Sequence, residues 1–297
     1  MIASGAIYRA GLSTRIVACL VATWVVWGTT YFAIKVALVG FPPFFQIGTR
    51  LLVAGAFLLW WACWRGRELP TRVQWGNAFV VGAVMIAGNQ GGVAYAEQTV
   101  ASGLVVAFIA IVPALTTIMN LPFGIRPSRL EVCGIIAGFV GVVLLVRGDA
   151  FTASAAGLVA MTIAALGWSV GSVLSQHVLP LARGSAGFAS QMICAGVVML
   201  VLSALAGETF RWPPPPLAGA AWLYLVVFGS LIAFVAYMVL LSSTGPALAT
   251  SYTFVNPAIA MLLGVSLGGE RVTTHEWIAV AIIVAAVTIV ILGRGTR

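Results

Sequence analysis

The chain reads as long apolar runs separated by short breaks rich in charge, proline or glycine. A helix across a hydrocarbon core of about 30 Å takes about 20 residues. Ten runs reach that length, at residues 14–38, 43–64, 74–96, 99–122, 128–147, 154–178, 185–206, 217–240, 246–268 and 273–293. Each run is continuous rather than alternating, which predicts helices and not a barrel. The first run, preceded by Arg9 and Arg15, is too long for a signal peptide and lacks a small-residue cleavage pattern. It is expected to be a retained span. The spans leave no room for a soluble domain. The fold class predicted is an all-α polytopic membrane protein.

Composition narrows the class. Only 7% of residues are charged and 61% are hydrophobic, whereas a soluble chain is about 25% charged. A soluble enzyme, a disulfide scaffold and a disordered regulator are excluded. The net charge of +8 would suggest nucleic acid in a soluble protein, but its placement speaks of a membrane. With the N-terminus inside, Arg9, Arg15, Arg65, Arg67, Arg72, Arg126, Arg129, Arg183, Arg294 and Arg297 are cytoplasmic. Only Arg147, Arg211 and Arg271 fall outside, and Lys35 and Arg50 lie within spans. This positive-inside bias predicts both termini in the cytoplasm. Trp60, Trp61, Trp64 and Trp75 then sit at the inner interface, and Trp212, Trp222 and Trp277 at the outer. Trp24, Trp27 and Trp168 are mid-span and need another explanation. Cys19, Cys63, Cys133 and Cys194 form no C-x-x-C pair and have no histidine nearby. They read as small buried apolar residues, with no metal site and no disulfide.

The sequence repeats itself at an offset of 141–145 residues. Trp27 pairs with Trp168, Val93-Ala94-Tyr95 with Val235-Ala236-Tyr237, and Pro113 with Pro257. Leu104 and Phe108 pair with Leu248 and Tyr252, and Arg126 and Glu131 with Arg271 and Glu276. The predicted halves are residues 1–150 and 151–297. Five spans per half is an odd number, so the second half enters from the opposite side. The expected architecture is two inverted five-helix repeats around a central cavity, with the site near the midplane and alternating access.

Trp27-Gly28 in the first span, Arg50 in the second, Pro113 and Pro257 in the fourth and ninth, and Gly268–Arg271 before the last helix carry a resemblance. Together with the ten spans and the 5+5 repeat, they resemble the drug/metabolite transporter superfamily in its EamA branch. The likeness covers essentially the whole chain and is nearest to the ten-helix YddG-type amino-acid exporters. It implies an inner-membrane exporter with a central cavity. Its motifs are specific for the superfamily and not for substrate. One departure is Ile125, which stands where the family often has Glu and where the second half has Glu270.

Mid-membrane polar and aromatic residues are the candidates for recognition. Trp27 and Trp168, with Trp24 one turn from Trp27, offer ring faces to an apolar group or an ammonium. Asn89, Gln90, Gln98 and Asn256 are amides that must face the bundle interior or a wet cavity. Pro257 frees the carbonyl of Thr253 beside Asn256 and Tyr252. Tyr95 and Tyr237 are placed to close the two mouths in turn. Gly88, Gly91 and Gly92 permit a bend around Asn89-Gln90. Lys35, Arg50 and Glu97 read as an ion-pair group in the outer vestibule. Gly134, Gly138 and Gly141 permit close helix contact. No carboxylate is predicted at mid-membrane, so a carboxylate proton relay through the site is not expected.

The function expected is export of a small amphipathic metabolite, amino acids including aromatic ones. An anionic-metabolite exchanger of the sugar-phosphate or nucleotide-sugar type is the alternative, and would call for basic residues near the midplane. An intramembrane enzyme is disfavoured by two terminal histidines and no central carboxylate. The partners implied are a small-molecule substrate and the bilayer, with no nucleic acid, no cofactor and no metal; a monomer fits this pattern.

Overall fold

The computed structural model describes residues 13–100, 105, 108–146, 154–268 and 274–293. Arg9, Leu104, Arg147, Asp149, Gly269, Glu270, Arg271, Arg294 and Arg297 lie outside them, as does the side chain of Glu276. The described residues form ten helical spans. These are α1 (Thr14–Ala37), α2 (Pro43–Trp64), α3 (Arg72–Ala96), α4 (Val112–Phe123) and α5 (Arg129–Val146). The second half has α6 (Ala155–His177), α7 (Ser185–Leu205), α8 (Pro216–Ser243), α9 (Tyr252–Gly268, after a short turn Pro246–Ala249) and α10 (Thr274–Gly293). The protein is all-α, two inverted five-helix repeats. Six spans are long and apolar enough over their described residues to cross a membrane.

Local chemistry sets the helix starts. Ser13 and Ser154 accept from backbone N–H groups in the first turns of α1 and α6. Thr71 and Gln74 form a capping box on α3. Prolines open α2, α8 and the turn before α9, where a missing N–H costs nothing.

Helices in lipid associate through close packing of small residues, not through burial from water. Packing here comes in symmetric sets. The repeat mates α2 and α7 pack together, as do α5 and α10. The contact of α1 with α9 is matched by α6 with α4, and that of α3 with α6 by α8 with α1. This is the pattern a twofold axis between the halves produces. A Cβ on Gly196 of α7 would sit 3.0 Å from the Gly48 carbonyl of α2. The expected close contacts at Gly134, Gly138 and Gly141 are present, against Ala286, Phe254 and Ile283.

Two elements depart from a plain helix. α3 winds as a π-helix over Gly82–Ala87, and α8 does so over Leu225–Ala233. Their starts, 82 and 225, are repeat-related. The cysteines differ from expectation: Cys63 and Cys133 are exposed, and Cys19 and Cys194 only partly buried. A thiol on the outer face of a spanning helix is a small apolar group that lipid accepts.

Candidate functional site

α1 carries Trp27 near its middle, and Thr30, Tyr31 and Ile34 follow within two turns on the same side. α2 contributes Gln46, Ile47 and Arg50, again one turn apart. α3, beyond its π segment, contributes Asn89, Gln90, Val93 and Ala94. Together with Ile109, Trp168 of α6, Gly229 of α8, and Tyr252 and Asn256 of α9, these residues line one cavity of about 70 Å³. By the same measure one water occupies about 10–15 Å³, so the space holds about five to seven waters.

One wall is polar. Arg50 is only 4% exposed, and its guanidinium donates to the Gln90 side-chain oxygen. Its Nε has no partner. Neither Oε1 nor Nε2 of Gln46 has one, nor does Asn256 Oδ1. Four unsatisfied polar groups around one buried space are costly unless something fills it. Tyr31 lies within hydrogen-bond reach of the Asn256 side chain, and both line the cavity.

The floor is aromatic. Trp27, Trp168, Tyr237 and Tyr252 touch in all pairings, with ring centroids 4.5–6.4 Å apart. All six pairs approach edge to face or tilted, and edge-to-face is a geometry ring quadrupoles prefer. Hydrogen bonds lock them. Trp168 Nε1 donates to Tyr237 Oη at 3.0 Å, and Ser172 Oγ lies 2.9 Å from the same hydroxyl. Trp27 Nε1 donates to the Gly229 carbonyl at 3.2 Å, within the π segment of α8. The indole N–H groups are therefore taken, and only the ring faces remain for a ligand. Tyr237→Phe should leave the Trp168 N–H unpaired in a buried site, at a cost of about 1–3 kcal/mol. A thermal unfolding scan in detergent should show a lower Tm than for the parent; an equal Tm would mean the indole has another acceptor.

The structure gathers Trp27, Trp168, Asn89, Gln90, Tyr252 and Asn256 at the cavity, with Tyr237 beneath it. Asn89 also donates to the Ala164 carbonyl at 3.1 Å, tying α3 to α6. Trp24 does not line the cavity; its indole donates to Ser251 Oγ at 3.1 Å, joining α1 to α9. Tyr95 is corrected. It is 43% exposed and does not line the cavity, whereas Tyr237 is fully buried. Its neighbours Val93 and Ala94 face the cavity instead, and adjacent helix residues point about 100° apart. The π segments ahead of the two tyrosines span six and nine residues, so the repeats wind differently and Tyr95 loses its equivalence to Tyr237.

Arg50 also lies elsewhere than its depth in the span predicts. Its backbone is about 10 Å into α2 at 1.5 Å per residue, but the long side chain reaches the central cavity rather than a vestibule. Lys35 is exposed, while both carboxylate oxygens of Glu97 are shut off from solvent. Gly92 packs against the Ala160 carbonyl of α6, where a Cβ would come within 2.4 Å, and Gly91 lies against Met199. Gly88 closes the π turn, its N–H donating to the Ala83 carbonyl. Pro113 opens the described part of α4, and Pro257 lies inside α9. Tyr31 and Gln46 were not singled out by sequence. Each lies four residues from a residue that was, Trp27 and Arg50, and that spacing is the signal that reveals them.

Two inverted halves enclosing a buried guanidinium, free amides and a ring-walled cavity define a membrane carrier. The chain belongs to the EamA-like transporter family, which matches residues 14–147 and again residues 155–292. It is a transporter of the drug/metabolite superfamily. Among its relatives is the Escherichia coli protein named uncharacterized inner membrane transporter YedA, 39% identical over 93% of this chain and 90% of that one. Protein PecM of Dickeya dadantii is 27% identical over 89% and 88% of the two chains. A solved crystal structure with a TM-score of 0.77 covers 94% of this chain and 96% of its own at 20% identity, a likeness of fold.

Proposed function

We propose that the protein exports small amphipathic metabolites bearing a carboxylate, amino acids and aromatic ones among them, by alternating access of its two halves. It would work in the cell inner membrane with both termini cytoplasmic, the side marked by the basic loops. The observation that carries this reading is Arg50 in the same cavity as the Trp27–Trp168–Tyr252 floor. A guanidinium binds a carboxylate through paired N–H donors. Asn256 Oδ1 is a free acceptor for an ammonium, and the indole faces add cation–π attraction. The rings accept the apolar side chain.

Arg50 in the cavity also favours the anionic-metabolite exchanger. A single guanidinium matches one carboxylate better than a dianionic phosphate. Counterflow in proteoliposomes decides between them, with a panel of amino acids, sugar phosphates and nucleotide sugars. The expected result is exchange of phenylalanine and similar amino acids and none of phosphates. No exchange by any amino acid, and no change in tryptophan fluorescence on adding them, overturns the reading. Trp27→Ala removes ring contacts worth about 0.5–1.5 kcal/mol and should weaken aromatic amino acids about two- to tenfold relative to alanine. Equal losses for both would give Trp27 a packing role only.

A further inference from the structure

A second pocket, of about 470 Å³, lies at the pole of the bundle opposite the Arg65–Arg72 loop. Small-molecule sites ordinarily measure about 300–1,000 Å³. The ends of α1 and α3, the start of α2 and the loop from Thr209 to Pro215 enclose it. It is stacked on the central cavity. Ile34, Gln46 and Ala94 line the central space, while Leu38, Pro42 and Gln98 line the outer one. Each pair is four residues apart, one helical turn or about 6 Å along a shared face. α2 runs opposite to α1 and α3, yet all three steps lead to the same pole.

The outer pocket holds a cation, an acceptor and an apolar wall. Arg211 is the one charged side chain among its described lining residues, and it is exposed. The acid closest to it in sequence, Glu208, is occupied. Its Oε1 and Oε2 accept the Phe44 and Phe45 backbone N–H groups at 3.1 and 2.8 Å. Gln98 spends an N–H on the Ala94 carbonyl at 3.4 Å, which leaves its amide oxygen to accept. Phe41 and the flanking prolines give the apolar wall. The wall is held in place: Phe210 stacks on Phe41 and Phe45 at 5.0 and 4.7 Å, and a Cβ on Gly40 would come within 2.7 Å of Pro215.

We propose that this outer pocket is a second binding station for the transported carboxylate-bearing amphiphile. Arg211 holds the carboxylate, the Gln98 oxygen the ammonium, and Phe41 the apolar side chain. This rests on the reading of the central cavity as the carboxylate site. Arg50, Asn256 Oδ1 and the aromatic floor offer the same three functions about one turn deeper, so a molecule passes between two sets of like partners. An exposed guanidinium competes with water and salt, so the outer station is the weaker. A loose site at the mouth holds a departing molecule briefly and then releases it. Arg211 also draws carboxylates to the mouth, an effect that fades as salt rises.

The test places a thiol in the pocket. Thr209 lines it and is exposed. Thr209→Cys in the purified full chain should react with a water-soluble maleimide, read as labelling above that of the parent. L-phenylalanine should slow this labelling, and phenylethylamine, which lacks the carboxylate, should not. Protection should persist with Arg50→Met. With Arg211→Gln the half-protecting concentration should rise about tenfold, and Arg211→Lys should recover part of that. No protection, or equal protection with Arg211→Gln, overturns the outer station; phenylalanine counterflow by the parent would then leave the central site standing. Protection lost with Arg50→Met and kept with Arg211→Gln puts phenylalanine in the central cavity alone, and overturns it too. Protection without counterflow of any amino acid keeps the outer site and overturns the transport reading. Neither protection nor counterflow overturns both.

Discussion

Arg50→Met is expected to lower the transport of carboxylate-bearing substrates about 100-fold or more and to leave a folded protein. Methionine keeps the length and flexibility of the side chain and removes every donor. Hydrogen bonds to a charged group are worth about 1.5–3 kcal/mol each, and each 1.4 kcal/mol is tenfold in affinity, so losing one or two reaches that factor. Arg50 is the one basic side chain among those lining the cavity, so nothing described there replaces it. Folding should survive, because Arg50 is a buried charge with an unpartnered Nε, and removing such a group relieves a desolvation cost. The Gln90 oxygen loses its donor, a smaller cost. Arg50→Lys keeps the charge but not the fork, and should recover only part of the loss. Counterflow of phenylalanine against phenylethylamine, its analogue without the carboxylate, provides the measurement. The parent should prefer phenylalanine and the variant should not. An unchanged preference would show that the carboxylate binds elsewhere.

Much of this was legible in the sequence, and the reasons it stopped are specific. Spans are read from apolar length, and apolar length is what a bilayer demands. The repeat is legible because Trp27 and Trp168 are rare residues at corresponding depth. The mid-span amides were recognisable because lipid leaves them nowhere else to point. Depth along a helix, however, locates a backbone and not the end of a long side chain. That is why Arg50 reads as a vestibule residue and lies in the cavity. The cavity therefore holds a base where the sequence placed only amides and rings. Tyr95 fails for a different reason. A repeat alignment carries facing from one half to the other only if both wind alike, and π turns of unequal length in α3 and α8 break that condition. Nothing in the run Gly-Ala-Val-Met-Ile-Ala announces a π turn, because the extra residue is accommodated by the surface it packs on rather than by its own propensity.

That surface yields the second large expected effect. Gly171→Val is expected to abolish recovery of folded protein. Val84 and Met85 of the π turn press against α6, where Gly167 and Gly171 leave room for them. A Cβ at Gly171 would sit 2.3 Å from Met85 Cβ and 2.8 Å from its Cα, and one at Gly167 would sit 2.5 Å from the Val84 carbonyl oxygen. The atoms met are at or next to backbone, so no side-chain rotation relieves the overlap. Overpacking a rigid contact costs about 1–3 kcal/mol, and a β-branched residue adds two more carbons in the same place. Parting α3 from α6 would also pull Asn89 away from the Ala164 carbonyl. Gly171→Ala should give a smaller loss of the same kind, seen as a lower Tm in detergent. Gly76→Val on α3 is the control, since a Cβ there meets nothing within 4 Å. Size-exclusion profiles of the three variants after extraction measure the effect. A monodisperse peak of parental height for Gly171→Val would show that α3 is not held against α6 at this contact. The π turn would then owe its winding to the α7 side, where Gly82 meets the Gln191 carbonyl, and Gly82→Ala would become the substitution that unseats Asn89 and Gln90.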